Sequence, residues 1–178
     1  MKFLKNKDLH RPDASQFQCM EKLQVTVVLD NVRSGLNVGS VFRSADAFLC
    51  ERIILCGITA TPPDPEVLKT ALGATQTVMW EHHRETSRAL EALKSEGYIL
   101  LAVEQANVSE PLQRLDPLAG TRYALVFGNE VKGIGADLEH YFDGCIEIPQ
   151  SGTKHSLNIS VCAGIVLWKF YEMLHLKP

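Results

Sequence analysis

Short apolar runs recur along this chain, separated by polar breaks and by stretches of helical periodicity. That alternation constrains the fold more than any other feature. VTVVLD, ending at Asp30, RIILCG from Arg52, TQTVMWEH from Thr75, YILLAVEQ from Tyr98 and YALVFG from Tyr123 read as strands. CIEIPQ from Cys145 reads as a short final strand stopped by Pro149. After the first strand, Val38, Val41, Phe42, Ala45, Phe48 and Leu49 recur at helical spacing and form one apolar face, with Arg43 off it. Glu85 to Glu96 reads as an amphipathic helix closed by Gly97. Ser156 to about Leu174 reads as a long helix, with Ile159, Cys162, Ala163, Val166, Leu167, Phe170 and Leu174 on its apolar face. TATPPDPE, from Thr59, is expected to be irregular, because Pro62, Pro63 and Pro65 break regular structure. Strands alternating with helices predict an α/β fold with a mainly parallel sheet.

The 178 residues suit one domain with a sizeable core. Residues 1–22 are expected to be an extension or short helix, and 23–178 the domain. Lys2, Lys5, Lys7 and Arg11 against Asp8 make the extension a small basic arm, suited to contacting nucleic acid or to lying solvated. The formal net charge is −3, so any phosphate contact needs local rather than total positive charge. Cys19, Cys50, Cys56, Cys145 and Cys162 are odd in number and show no CxxC spacing. They read as buried free thiols in a reducing compartment, not as a disulfide framework or a zinc site. No metal is expected. The N-terminus has no apolar signal core and no long apolar run follows, so a cytoplasmic protein without a membrane span is expected.

Three segments carry polar groups where a core would not want them. LDNVRSGLNVGSVFRSADAF, from Leu29, gathers Asn31, Arg33, Asn37 and Arg43 around a strand-to-helix junction. Burying two amides and two guanidiniums costs more than packing returns. Arginine also suits phosphate, since its planar fork donates two parallel hydrogen bonds. LVFGNEVKGI, from Leu125, runs a strand into Gly128, Asn129, Glu130 and Gly133. It is neither GxGxxG nor a P-loop, and a turn whose Glu130 caps a helix is its plain structural reading. IPQSGTKHSLNISVCAG, from Ile148, leads a polar loop into the last helix, with Ser156 as the expected N-cap and Lys154, His155 and Asn158 beside it. Strand ends in one sheet converge on one crevice, so three such junctions together predict an active site.

These three segments resemble, in order and separation, the signatures of the SpoU, or TrmH-type, RNA 2′-O-ribose methyltransferases of the SPOUT superfamily. The resemblance runs from about Leu23 to Trp168. It implies a SPOUT fold, in which the C-terminal part of the sheet region threads a loop into a deep trefoil knot. It implies S-adenosylmethionine held by the knot loops. It also implies a homodimer through the C-terminal and first-motif helices. Arg43, Asn37, Glu130, Ser156 and Asn158 match the family's catalytic and structural polar set. Gly128, Ile148 and Leu157 match positions lining the cofactor pocket, and Val103 and Glu104 border it. Phe127, Asn129, Gly133, Pro149 and Ser156 complete the implied cofactor loops. Arg33, Arg43, Lys154 and His155 are the expected RNA contacts.

The implied reaction moves a sulfonium methyl group to a ribose 2′-hydroxyl. Arg43's counterpart in the family is proposed to accept the hydroxyl proton, but a guanidinium stays protonated and has no acceptor site. Arg43 is therefore expected to bind substrate phosphate and stabilise developing alkoxide charge, with Asn37 orienting Arg43 or the ribose. The sequence shows neither a long N-terminal domain like those of some rRNA enzymes nor an extended basic C-terminal tail. A tRNA substrate is therefore the favoured expectation. Ribosomal RNA is the alternative, as is a non-catalytic protein that binds RNA or S-adenosylmethionine.

Overall fold

In the computed structural model, which describes residues 1–5 and 8–177, the first long strand is β1 (Leu23–Asp30). From Val25 to Asp30 it is buried on both faces, as a β-branched run inside a parallel sheet should be. The other strands are β2 (Cys50–Cys56), β3 (Met79–His83), β4 (Ile99–Val103), β5 (Glu110–Pro111), β6 (Tyr123–Phe127) and β7 (Gly144–Glu147). Together they form a seven-stranded sheet in the order β3-β2-β1-β6-β4-β7-β5. Every strand pairing among the described residues is parallel. Strand β6 thus lies between β1 and β4, so the carboxyl ends of β4, β6 and β7 stand side by side.

Helices cover both faces. α1 (Ala14–Cys19) lies in the N-terminal extension, capped by Asp13. α2 (Gly35–Ala47), α3 (Pro65–Ala71) and α5 (Ile159–Tyr171) pack on one face, and α4 (Thr86–Ser95) lies on the other. The strands divide their side chains accordingly, since successive residues point to opposite faces. Val25, Val27 and Leu29 join Val38, Phe42, Val166 and Phe170 in the larger core. Val28, Ile54, Leu100 and Val126 meet Leu90 and Leu93 of α4 in the smaller one. Each fully buried Leu, Val or Phe here contributes about 1.5–3 kcal/mol.

Several expectations need correction. Pro65 does not break regular structure. It is the first residue of α3, where its missing N–H would be unpaired anyway and Asp64 supplies the cap. The strand expected from Thr75 begins at Met79, because Ala74–Gln76 forms a 3-10 turn first. The last helix begins at Ile159, with Asn158 rather than Ser156 as its cap, and continues as a π-helical turn over Glu172–Leu176. That continuous helix, Ile159–Leu176, is long and apolar enough to cross a membrane, against the expectation of no such run. Its Ile159, Ala163, Val166, Leu167 and Phe170 are buried in the larger core, however. The free cysteines are not all buried either: Cys50 and Cys56 are, Cys145 and Cys162 are half-buried, and Cys19 is exposed. Lys7 of the expected basic arm lies outside the described residues.

Candidate active site

The first and second polar segments meet at the N-terminus of α2. A helix start leaves backbone N–H groups without partners and carries partial positive charge. Glu130, brought there by the turn after β6, accepts from Arg33 N–H at 3.0 Å with one oxygen. With the other it accepts from Ser34 N–H at 3.0 Å and from Asn37 Nδ2 at 3.1 Å. Burial alone pushes the Glu130 carboxyl up, but these donors outweigh it and hold it below the ordinary glutamate value. The helix cap read for Glu130 is therefore real, though the helix lies some ninety residues upstream.

The third segment joins through Asn37. Its side-chain oxygen accepts from Asn158 Nδ2 at 3.1 Å, while the oxygen of Asn158 accepts from Ser160 N–H at 2.9 Å and Ser160 Oγ at 2.7 Å. The two amides and the carboxylate form one relay, Glu130–Asn37–Asn158, linking residues 93 and 121 positions apart. Both polar ends of Asn37 are thereby engaged within the relay, and of its two expected partners, Arg43 and the ribose, neither end meets Arg43.

The turn after β6 is shaped by Asn129 and two glycines. Asn129 exchanges backbone hydrogen bonds with Gly133 at 3.1 and 2.9 Å, and its side-chain oxygen accepts from Val131 and Lys132 N–H. Its Nδ2 donates to the Asn31 carbonyl at 2.7 Å, tying the turn to β1. Gly133 has a φ of 68°. At Gly128 a Cβ would stand 2.3 Å from the backbone of Gly133 and Ile134, so only glycine permits this close approach.

Beside the relay, at the ends of β4, β6 and β7, lies a cavity of about 340 Å³. That volume suits a small organic cofactor. Nine of the ten expected cofactor residues line it: Val103, Glu104, Phe127, Gly128, Asn129, Gly133, Ile148, Ser156 and Leu157; Pro149 does not. Glu130 and Asn158 line it as well. Sequence reading missed Gln105, Val131, Ile146, Glu147, Gln150, Ile159 and Cys162. Strand ends adjacent to the named residues were the signal for Gln105 and Ile146. The mixture of apolar walls (Val103, Phe127, Ile148, Leu157), a glycine floor and the carboxylates of Glu104 and Glu130 fits a cationic nucleoside such as S-adenosylmethionine. Burial pushes the Cys162 thiol in its wall up to about 11, so it is a neutral, unreactive lining group at ordinary pH.

Two residues of the first segment stand apart from this cavity. Arg43 is not in this cavity. It is six residues beyond Asn37, which at 100° per residue turns it to another side of α2. There it is exposed and lines a second cavity with Ser40, Ser44, Phe48 and Lys69. Asn31 is not a ligand-facing group. It sits at φ 56°, donates to Asp30 and accepts from Ile58 N–H at 3.2 Å, bracing the ends of β1 and β2. Arg33, Lys154 and His155 are exposed; the Arg33 N–H is held by Glu130 and the His155 carbonyl by Gln105, and none of the three lines the cavity.

Comparison with known proteins places this geometry. The SpoU rRNA Methylase family model matches residues 24–168. A Bacillus subtilis protein named as a TrmH-family tRNA/rRNA methyltransferase is 30% identical over 146 residues, covering 82% of this chain and 57% of its own length. The chain spans about three-fifths of the length of the curated relatives it matches. The AdoMet-bound rRNA methyltransferase of Sinorhizobium meliloti superposes with a TM-score of 0.78 at 26% identity, covering 86% of this chain and 59% of that one. A structure described as concerning 2-OH methylation of C/U34 on tRNA superposes with a TM-score of 0.73 at 25% identity, covering 84% of this chain and 95% of that one.

Proposed function

Because the chain belongs to the SpoU rRNA methylase family, we propose that its cavity binds S-adenosylmethionine and that it methylates a ribose 2′-hydroxyl of RNA. The observation that carries this reading is the Glu130–Asn37–Asn158 relay at the rim of the cavity. It fixes the loops of all three polar segments around one opening, which a structural cap alone does not require. The SPOUT knot belongs to this reading as what membership of the family implies. The bound cofactor supplies an electrophilic methyl group on a positive sulfur. Phe127, Ile148 and Leu157 exclude water around it, and the Gly128 backbone admits it closely. Asn158 and Ser156 hold the loop against which the ribose docks. Arg43, Arg33, Lys154 and His155 hold phosphates, with Arg43 stabilising the developing alkoxide while the hydroxyl proton passes to solvent water as the methyl is transferred.

The working unit is a homodimer. Val161, Ile165 and Trp168 form an outward stripe on α5, and each is 39–51% exposed. Phe48, just past α2, packs on Trp168 and Tyr171 with ring centroids 5.8 and 5.6 Å apart, making the stripe continuous with the side of α2 that bears Arg43. A second copy on this face covers the stripe and lets Arg43 serve the partner's cavity. The extension over residues 1–22 adds a basic arm for RNA, and cytoplasmic work on RNA is the setting. A tRNA substrate is favoured by the neighbour bearing on C/U34 of tRNA, most of whose length the fold accounts for. The test is transfer of labelled methyl to separate unmodified tRNA and rRNA fractions, with Arg43→Ala alongside. Label in tRNA, lost in the variant, supports the reading. Label in rRNA alone moves the substrate, and label in neither with intact cofactor binding favours a non-catalytic knot protein.

A further inference from the structure

The segment from Gln150 to Asn158 is irregular and exposed throughout, yet Gln150, Ser156, Leu157 and Asn158 line the cavity. With every residue from 150 to 158 exposed, burial does little to fix the segment in one position. Among the described residues, two side-chain hydrogen bonds tie it to elements other than the helix it leads into. Asn158 is held to Asn37 at the helix end. In its interior, Gln105 Nε2 donates to the His155 carbonyl at 2.6 Å. Gln105 stands on firm ground: Glu104 N–H, just before it, donates to the Ile146 carbonyl at 3.1 Å, and the Cys145 thiol donates to the Glu104 carbonyl at 3.3 Å. The end of β4 is thus locked to β7, and the Gln105 amide reaches across the cavity mouth from that base.

We infer that Gln105 is a positioning residue, a latch that holds the 150–158 segment closed over the cavity and so sets the affinity for the cofactor. The inference rests on reading the cavity as an S-adenosylmethionine site. The acceptor is a backbone carbonyl, so the latch needs a donor at position 105 and is indifferent to the side chain at 155. A single exposed hydrogen bond contributes modestly, so the free protein samples an open segment. Ligand affinity is then reduced by the fraction of molecules that are open. Losing the donor enlarges that fraction. Ser156 and Leu157, on the cavity side of His155, follow the segment, whereas Asn158 is held independently by Asn37.

The test compares wild type with Gln105→Glu, nearly isosteric but presenting an acceptor to the carbonyl, and with Gln105→Lys, which restores a donor. Amide hydrogen exchange over residues 151–157 is measured in the free protein, and S-adenosylhomocysteine is titrated by calorimetry. Expected are faster exchange and about fivefold weaker binding in Gln105→Glu, the worth of one such bond. Both should return toward wild type in Gln105→Lys. In turnover, KM for S-adenosylmethionine should rise by a similar factor while kcat at saturating cofactor stays within about twofold. Equal exchange in all three proteins overturns the latch, whatever the cofactor does. Altered exchange with unaltered affinity overturns its positioning role. Failure of wild type to bind S-adenosylhomocysteine overturns the cofactor reading instead, and the exchange comparison still judges the latch.

Discussion

Asn37 donates through Nδ2 to the Glu130 carboxylate at 3.1 Å, across 93 positions of sequence, and this bond fastens the turn after β6 to the start of α2. The same carboxylate caps the helix through the Arg33 and Ser34 N–H groups. Glu130→Gln leaves an amide N–H₂ facing one of these donors. The variant should lose about 1 kcal/mol of stability, a modest figure because solvent screens the group. The folded-state carboxyl is held below its ordinary value of 4.5, so its contribution is complete above that value and disappears as pH falls through the lower folded value. Denaturant titrations of the two proteins should differ by a constant amount from about pH 8 down to about pH 5 and converge in stronger acid. A difference that grows on acidification would contradict this account.

Arg43 lies outside the cavity that its own chain builds, on the flank of α2 beside the exposed stripe of α5. Its guanidinium has no proton-accepting site. Arg43→Lys should retain reduced activity, because an ammonium binds phosphate as a point charge but without the bidentate fork. The pH–rate profile should keep its wild-type shape. An added limb toward the titration range of lysine would instead show that the residue at this position acts as a base.

Trp168→Glu places a charge in the centre of the outward α5 stripe. Light scattering should show wild type as a dimer and the variant as a folded monomer with unchanged far-ultraviolet circular dichroism. Methyl transfer should fall by more than about tenfold, since an arginine offered by the partner would be withdrawn. A monomeric wild type with full activity would remove the dimer from the account.

The thiols offer a check on the fold itself. Burial pushes Cys50 and Cys56 up to about 12 and Cys162 to about 11, and burial raises Cys145 as well. Cys19 is exposed on α1. Iodoacetamide near neutral pH should therefore modify Cys19 quickly and the other four slowly, as read by peptide mass spectrometry. Rapid labelling of Cys50 or Cys56 would contradict their place in the sheet.

Much of the architecture was legible where one physical signal dominates. The runs around Val27, Leu101 and Leu125 are apolar on both faces, so they can only be interior strands, and the parallel sheet follows from the helices between them. What escaped was decided by competing effects. Three prolines hid α3, because a proline that breaks a helix interior also starts one well. β5 spans two residues, too short to carry a period. Ser156 and Asn158 are both good caps, and the choice fell to Asn158 because its amide is also engaged by Asn37. The relay partners were named from sequence, but their pairing was not, since no local rule brings positions 37, 130 and 158 together. The separation of Arg43 from Asn37 was readable from helical phase alone.

The chemical position of the transferred methyl tests the central claim most directly. RNA labelled by incubation with the protein and S-adenosylmethionine should be digested with alkali, which cleaves only where a free 2′-hydroxyl can attack the adjacent phosphate. Ribose methylation predicts label in alkali-resistant dinucleotides, absent with Asn37→Ala. Label released in mononucleotides would place the methyl on a base and contradict the account of this site.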